Sequence, residues 1–157
     1  MKTKILMVCL GNICRSPLAE GILTEIADAN KVEVNSAGTG GWHVGSQPDP
    51  RSIAIAKKNG IDISHQRGKQ FSTYDYEIYD HIFVMDLSNY NDVIKLAKTD
   101  AEKAKVSLIL DEIFPGENVD VPDPYYGGAF GFENVYKMLY QACEKIMSRL
   151  SLQKEAN

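Results

Sequence analysis

Short apolar runs alternate with amphipathic, helix-sized segments along most of the 157-residue chain. Continuous apolar runs of this length are typical of strands covered on both faces, and a 3.6-residue spacing of apolar positions indicates helices. The predicted strands cover residues 5–8, 32–36, 82–85 and 106–110. Because helix-sized segments connect the strands, the sequence predicts an α/β fold with a doubly wound, about four-stranded parallel sheet. We expect helices on both faces of this sheet and a single domain over residues 1–157.

Capping signals predict where the helices begin and end. Ser16-Pro17 is typical of a helix start, with the serine as the cap and the proline in the first turn. Asp49-Pro50 predicts a second helix, which ends at Asn59-Gly60. Ser88 is the predicted cap of a third helix. The longest apolar stripe, residues 132–150, predicts a C-terminal helix of about five turns.

Composition and charge narrow the class of protein. Charged residues make up 24% of the chain and hydrophobic residues 44%, which is ordinary for a globular domain. A formal net charge of -4 gives no global attraction to nucleic acid or to an anionic membrane. An odd count of three cysteines does not make a disulfide framework and suits a reducing compartment. We therefore expect a cytoplasmic protein with no nucleic-acid or membrane partner.

The candidate chemistry lies at the carboxyl end of the first predicted strand, in the stretch VCLGNICRSP. Five residues separate Cys9 from Arg15, and a predicted helix begins directly afterwards. Successive backbone amides of a tight turn that leads into a helix can bind a phosphoryl group together, and Gly11 permits such a turn. Arg15 adds a planar guanidinium that can hold two phosphate oxygens at once. This stretch therefore predicts a phosphate-binding loop.

The same loop supplies a predicted nucleophile. A helix N-terminus and a nearby arginine favour the thiolate form of a cysteine, so Cys9 can attack phosphorus without a metal. Ser16 can donate a hydrogen bond to the sulfur when the sulfur leaves again. Asp123, framed by Pro122 and Pro124, is the candidate acid that protonates the departing alcohol or phenol. These residue types predict hydrolysis of phosphate monoesters through a phosphocysteine intermediate.

Several motifs together resemble the low-molecular-weight protein tyrosine phosphatases. The matching stretches are CLGNICRS (9–16), SAGT (36–39), the region around Trp42, ISHQR (63–67), MD (85–86) and DPYY (123–126). The resemblance implies hydrolysis of phosphotyrosine in proteins or peptides, with Cys9 as nucleophile, Arg15 as phosphate clamp and Asp123 as acid and then base. It implies no cofactor and no metal. Inorganic phosphate and other oxyanions are the expected products or inhibitors.

The resemblance also implies residues that bind the substrate or support the loop. The substrate-binding set is Leu10, Gly11, Asn12, Ile13, Cys14, Ser16, Trp42 and Tyr125, and the supporting set is Ser36, His65 and Tyr126. In the family, an asparagine like Asn12 holds the loop through a polar network with a serine like Ser36 and a histidine like His65. Trp42 and Tyr125 would form aromatic walls for a phenyl ring. The alternatives are a core position for Trp42 and an ordinary surface position for His65.

Two further cysteines have different interpretations. Cys14 lies inside the loop, where it could form a disulfide with Cys9 once peroxide has converted Cys9 to a sulfenic acid, and so protect the nucleophile. The alternative is that Cys14 is a small residue that packs well. Cys143 falls on the apolar stripe of the C-terminal helix and is interpreted as structural.

Other functional classes fit the sequence less well. A zinc site would need ligand pairs, whereas the histidines are scattered singly, and GTGGWHVG at residues 38–45 breaks the glycine spacing of a dinucleotide-binding turn. Arsenate reductases with a similar loop need further redox cysteines, and residues 80–97 contain none. Protein arginine phosphatases resemble the loop but carry threonine where Ile13 stands. A silent phosphotyrosine-binding module would lose Cys9 or Asp123. We expect an enzyme that acts as a monomer.

Overall fold

The apolar run near the N-terminus forms a central strand of the predicted sheet. A computed structural model describes residues 1–125 and 129–155, with the backbone alone at 129 and 130. Within those ranges the strands are Thr3–Cys9 (β1), Val32–Gly38 (β2), His81–Val84 (β3) and Val106–Leu108 (β4). They are all parallel and lie in the order β2-β1-β3-β4. The predicted α/β fold with a four-stranded parallel sheet is confirmed.

Helices cover both faces of the sheet. In the described ranges they are Arg15–Ile26 (α1), Pro50–Lys58 (α2), Asp75–Ile78 (α3), Leu87–Ile94 (α4), Asp100–Lys103 (α5) and Ala129–Arg149 (α6). Alternate side chains of β1 point to opposite faces: Ile5 and Met7 pack with α1, α2 and α6, whereas Leu6 and Val8 pack with α3 and α4. All four are fully buried, and each burial is worth about 1.5–3 kcal/mol. No helix described here is long and apolar enough to cross a bilayer.

Several element boundaries differ from the sequence predictions. Strand β4 ends at Leu108, and the apolar residues after it form a 3₁₀ turn over Ile109–Glu112. Helix α4 is capped by the carboxylate of Asp86, so the prediction that Ser88 caps it is wrong. Helix α6 begins at Ala129, nearly a turn before the apolar stripe. An apolar run looks the same in a strand and in a buried turn, and for that reason periodicity alone misplaced the end of β4.

The carboxyl ends of β1 and β3 lie side by side, because these two strands pair in parallel. A long segment returns to this edge of the sheet before α6. Its Val121 amide donates to the carbonyl oxygen of Met85 at 2.8 Å, and its Asp120 carboxylate accepts the amide of Leu87 at 2.9 Å. The fold therefore brings the Asp123 segment (residues 120–125) beside the loop that follows β1.

Candidate active site

The β1–α1 loop (residues 10–14) is held from outside through its carbonyl groups. The amides of Thr39, Gly40 and Asp49 donate to three carbonyl oxygens in the stretch 9–13, at 2.9, 2.9 and 2.8 Å. No hydrogen bond described for residues 1–125 and 129–155 has an amide of residues 10–14 as its donor. These amides, at the N-terminal end of α1, are therefore available for an anion.

Asn12 fixes the shape of the loop. Its φ of 57° lies in the left-handed region that residues other than glycine seldom adopt. Its side-chain amide donates to the hydroxyls of Ser16 at 2.8 Å and Ser36 at 3.0 Å, and its side-chain oxygen accepts the amide of Lys69 at 3.0 Å. The residue is buried. Three hydrogen bonds in a buried site offset the cost of the unfavourable backbone.

The sulfur of Cys9 faces the hydroxyl of Ser16 at the base of this loop. The distance from Sγ to Oγ is 3.0 Å, and both residues are buried. When the sulfur is a thiolate, the hydroxyl is the donor of the pair and stabilises the negative charge. Ser16 lies within α1, whose cap position is Cys14, so the prediction that Ser16 caps the helix is wrong. Its predicted role as a donor to the sulfur fits the geometry.

Arg15 connects the β1–α1 loop to Asp86 and to the Asp123 segment. Its Nη1 donates to Asp86 Oδ2 at 2.7 Å and to the carbonyl oxygen of Val121 at 2.8 Å, and its Nη2 lies 3.7 Å from Asp123 Oδ2. Burial alone lowers the pKa of this guanidinium, but the charges of Cys9, Asp86 and Asp123 outweigh burial and raise the pKa above its ordinary value. Arg15 is therefore a fixed positive charge beside the sulfur.

One cavity holds the thiol of Cys9, the guanidinium of Arg15 and the carboxyl of Asp123. This cavity has a volume of about 310 Å³ and is lined by Cys9, Leu10, Gly11, Ile13, Cys14, Arg15, Trp42, His43, Asp123 and Tyr125. The side chain of Asp123 is 39% exposed and therefore lies partly in solvent. Its Oδ1 accepts the amide of Tyr125 at 3.0 Å.

Two aromatic residues form the walls of the cavity mouth. Trp42 is 71% exposed and Tyr125 is 41% exposed, and both line the cavity. The ring of Trp42 lies over Gly40, since a Cβ on that glycine would come within 1.9 Å of the ring. The alternative that Trp42 belongs to the core is wrong. A planar aryl group entering the cavity would meet rings at its mouth.

Cys14 lines the same cavity, but its thiol resists deprotonation. It is 4% exposed, and burial, followed by the charge of Asp49, raises its pKa to about 12. At neutral pH Cys14 is therefore a protonated, weakly nucleophilic thiol. The described cysteines Cys9, Cys14 and Cys143 are all unpaired, and Cys143 is fully buried, as its structural interpretation requires.

Two carboxylates near the loop were missed as site residues by the sequence analysis. Asp86 holds Arg15, and the MD motif was its signal, although no role was assigned to it. Glu20 accepts the hydroxyl of Ser36 at 2.7 Å and thereby extends the network of Asn12. Burial raises the pKa of Glu20. Its signal was its spacing, because it lies one helical turn after Ser16.

The structure places the histidines differently from the sequence prediction. His65 is exposed, and the hydrogen bonds described for Asn12 and Ser36 do not include it. It acts electrostatically on Glu20 and lowers the pKa of that carboxyl, against the larger effect of burial. His43 also lines the cavity, although the sequence predicted no role for it there.

Two other predictions concern the surroundings of the site. Among the described residues, His, Cys, Asp and Glu side chains do not gather in groups of three or more that could hold a metal ion. The predicted supporting residue Tyr126 lies outside the described residues.

Comparisons with known proteins find relatives that match nearly the whole length of the chain. A family model described as low molecular weight phosphotyrosine protein phosphatase matches residues 4–157. The low molecular weight phosphotyrosine protein phosphatase of Schizosaccharomyces pombe is 39% identical, and the match covers 94% of this chain and 97% of that protein. A solved protein tyrosine phosphatase from Entamoeba histolytica, with Hepes in its active site, has a TM-score of 0.89 and 34% identity, covering 96% and 97% of the two chains. Vibrio vulnificus Wzb in complex with benzylphosphonate has a TM-score of 0.84 and 29% identity, covering 95% and 99%.

One further solved structure bears on the substrate class. DARP, a Drosophila arginine phosphatase, has a TM-score of 0.82 and 32% identity, covering 95% of this chain and 97% of its own. The fold is therefore similar to that of proteins named for two kinds of phosphorylated residue. The side chains of the cavity, more than the fold, have to distinguish these substrates.

Proposed function

Because the chain belongs to the low molecular weight phosphotyrosine protein phosphatase family, we propose that it hydrolyses phosphotyrosine monoesters through a phosphocysteine on Cys9. Its class, a protein tyrosine phosphatase and thus a phosphoric monoester hydrolase, follows from the family. The observation that carries the mechanism is that Cys9, Arg15 and Asp123 line one cavity. A nucleophile, a phosphate clamp and a proton donor are the groups that this chemistry needs.

The first step is transfer of the phosphoryl group to sulfur. The phosphate oxygens bind to the amides of the β1–α1 loop and to the guanidinium of Arg15. The Cys9 thiolate attacks phosphorus, an S–P bond forms, and the P–O bond to the tyrosine oxygen breaks. Asp123 gives its proton to that oxygen, so tyrosine leaves as a neutral phenol. Fixed donors around the phosphate stabilise the charge that develops on its oxygens.

The second step is hydrolysis of the phosphocysteine. The Asp123 carboxylate takes a proton from a water molecule, and the water oxygen attacks phosphorus. The S–P bond breaks, inorganic phosphate forms, and the sulfur leaves as a thiolate. The Ser16 hydroxyl, 3.0 Å from the sulfur, stabilises that leaving thiolate. Because the cycle begins with a thiolate together with a protonated Asp123, we expect the rate to peak below neutral pH.

The cavity walls support an aryl phosphate as the substrate. Trp42 and Tyr125 can stack on a phenyl ring, and Ile13 adds an apolar surface. The benzylphosphonate bound to Vibrio vulnificus Wzb supports a phosphorus oxyanion that carries a phenyl ring as a ligand of this fold. Phosphotyrosine proteins or peptides are thus the proposed partners, and inorganic phosphate is a product that competes for the same loop.

The setting of the enzyme is part of the proposal. Cys9 must stay reduced to act, and the described thiols are unpaired, which supports a cytoplasmic location. We propose that the enzyme works as a monomer and without a metal ion. Size-exclusion chromatography with light scattering measures the first property, and activity in excess EDTA measures the second.

Turnover of p-nitrophenyl phosphate in excess EDTA tests the proposed mechanism. The wild type should be active, Cys9→Ser should have no measurable activity, and Asp123→Ala should lose about 10²–10⁴-fold in kcat, the usual contribution of a general acid. Trapping of a phosphoenzyme in acid-quenched samples should depend on Cys9. Activity that survives in Cys9→Ser, or that EDTA removes, contradicts the mechanism.

Phosphoarginine is the second candidate substrate, because DARP shares the fold at 32% identity. We expect kcat/KM for a phosphotyrosine peptide to exceed that for the matched phosphoarginine peptide, since two aromatic walls fit a phenyl ring. The reverse order would assign the enzyme to phosphoarginine while leaving the roles of Cys9 and Arg15 in place.

A further inference from the structure

Arg51, in the first turn of α2, contacts two aromatic rings at the edge of the site. Its guanidinium carbon is 5.3 Å from the ring centre of Tyr125 and 4.6 Å from that of Phe132. Two further contacts fix its orientation: Nε donates to Asp49 Oδ1 at 3.0 Å, and Nη2 donates to Asp49 Oδ2 at 2.9 Å. A guanidinium held in this way presents a flat, fixed face to the rings.

Asp49 is itself fixed to the β1–α1 loop. It is 8% exposed, and its backbone amide donates to the carbonyl oxygen of Ile13 at 2.8 Å. Its carboxylate also accepts the backbone amide of Arg51 at 2.8 Å, which caps α2. A continuous set of contacts thus runs from the loop through Asp49 and Arg51 to the ring of Tyr125.

The Asp123 segment is held by contacts at both of its ends. At its start, the amide of Val121 bonds to Met85, and the carbonyl oxygen of Val121 accepts Arg15. At its other end, the amide of Tyr125 donates to the Asp123 carboxylate at 3.0 Å, so the position of Tyr125 bears directly on that of the carboxyl. The ring of Tyr125 is where Arg51 makes its contact.

We propose that Arg51 is a positioning residue, which sets the carboxyl of Asp123 over the cavity by fixing Tyr125 to the β1–α1 loop through Asp49. The inference rests on the proposed function, because it concerns the acid of that reaction. Arg51 itself has no contact with the reacting atoms in this scheme. Arg51 should therefore affect the reaction rate only through Asp123. A substrate whose leaving group needs little protonation should be affected least.

Two substrates with different leaving groups distinguish an effect on Asp123 from a general effect of Arg51 on the active site. Phenyl phosphate releases a strongly basic phenolate and needs a proton from Asp123, whereas p-nitrophenyl phosphate releases a much less basic one. For Arg51→Gln we expect the ratio of kcat/KM for phenyl phosphate to that for p-nitrophenyl phosphate to fall about tenfold, as misplacement of a catalytic group allows. The quantity kcat/KM is used because it covers the steps up to departure of the phenol.

Three comparisons complete the experiment. Lys58→Gln makes the same change of charge on the exposed end of α2 and should leave the ratio unchanged. Arg51→Lys keeps the charge but loses the planar two-point contact with Asp49, so its ratio should fall as well. In an Asp123→Ala background, Arg51→Gln should change the ratio by less than about twofold, because the group through which it acts is gone.

Several outcomes would overturn the inference. In Arg51→Gln these are equal losses of kcat/KM for both substrates, or a rise in the inhibition constant of inorganic phosphate that parallels the loss of kcat/KM. A wild-type ratio in Arg51→Lys, or a further fall of the ratio when Arg51→Gln is added to Asp123→Ala, would also overturn it. If Asp123→Ala shifts the ratio as the mechanism requires and Arg51→Gln does not, only this inference fails. If Asp123→Ala leaves the ratio unchanged, the proposed role of Asp123 fails and the inference falls with it.

Discussion

Asn12 combines an unfavourable backbone conformation with side-chain hydrogen bonds that stabilise it. Its left-handed backbone is tolerated because its side chain bonds to Ser16, Ser36 and Lys69, which belong to three different parts of the chain. The loop therefore depends on contacts that are distant in sequence. The conformation of the loop and the packing of α1 against β2 are in this way linked through one buried amide.

Asn12→Ala should cost about 2–4 kcal/mol in the free energy of unfolding, since it removes the hydrogen bonds and leaves the unfavourable φ in place. The inhibition constant of inorganic phosphate should rise, because the loop amides lose their fixed arrangement. Urea unfolding and inhibition kinetics measure the two effects. Asn35→Ala is the matched control, since its amide contacts only the exposed Glu33 among the described hydrogen bonds, at 3.5 Å. Equal effects in both variants would contradict the role of Asn12.

Cys14 should form a disulfide with oxidised Cys9 at a rate that rises with pH. Its pKa of about 12 means that the thiolate fraction grows about tenfold per pH unit near neutrality, and the thiolate is the attacking species. After peroxide, sulfur of the Cys9 sulfenic acid bonds to the Cys14 sulfur and water is released. Mass spectrometry after alkylation measures the rate. A rate that does not change with pH contradicts this prediction.

The matched variant is Cys14→Ser. It cannot form the disulfide, so peroxide should inactivate it more completely, with less activity regained on addition of a thiol reductant. If the reductant restores Cys14→Ser as fully as the wild type, the protective role is wrong and Cys14 is a packing residue.

The candidate reacting residues could be picked out from the sequence because the pattern that marks them is local. The spacing of Cys9 and Arg15 and the prolines around Asp123 could be recognised in short stretches. Glu20 and Asp86 were harder to recognise, since each acts on a side chain contributed by another element. Sequence periodicity does not record which elements meet, and so it could not place these partners.

At the scale of elements, the site depends on how closely the end of β2 approaches the β1–α1 loop. A Cβ on Gly38 would lie 2.9 Å from the carbonyl oxygen of Leu10 and 3.0 Å from the amide of Asn12. Both contacts are to backbone atoms, which a side-chain rotation cannot relieve. Glycine at the end of β2 therefore allows the β1–α1 loop to pack this closely against the strand.

Gly38→Ala should therefore displace the loop. We expect a loss of about 1–3 kcal/mol in the free energy of unfolding, as for other overpacked sites. The value of kcat/KM should fall by about tenfold or more, because small displacements of the phosphate donors are costly. Thermal unfolding and turnover of p-nitrophenyl phosphate measure these changes. Gly131→Ala, where the nearest atom lies at 3.5 Å, should not lower stability; if it is as harmful as Gly38→Ala, the steric argument is wrong.

Element types were more predictable than element ends. Apolar positions predicted the four strands and the four longer helices in their order, because helices cover both faces of this sheet and bury most strand side chains; the short helices α3 and α5 were not predicted. The end of β4 and the cap of α4 depended on contacts with neighbours, such as the carboxylate of Asp86, which also binds Arg15. Such shared groups have no signature in the sequence of one element.

At the scale of the whole molecule, buried groups that resist deprotonation make stability depend on pH. Burial raises the pKa of Cys14 and of Tyr76 to about 12, from ordinary values of 9.0 and 10.0, and it also raises the pKa of Cys143. The folded protein keeps these protons in a range where the unfolded chain releases them. The stability that these groups contribute is thus fully present below about pH 9 and is lost as pH rises toward 12.

Urea unfolding across this alkaline range measures the effect. Each such group contributes up to about 1.4 kcal/mol per pH unit to the fall in the free energy of unfolding. Cys14→Ser removes one of them and should have a shallower slope than the wild type. Identical slopes would show that Cys14 does not take part in this linkage.

The place of Trp42 has a practical consequence. It is the single tryptophan of the chain, and its ring stands at the mouth of the candidate catalytic cavity with most of its surface in water. Its intrinsic fluorescence therefore comes from the location that an incoming aryl group would cover. Emission spectra can follow occupancy in real time and without a label, even for variants too slow to yield measurable product.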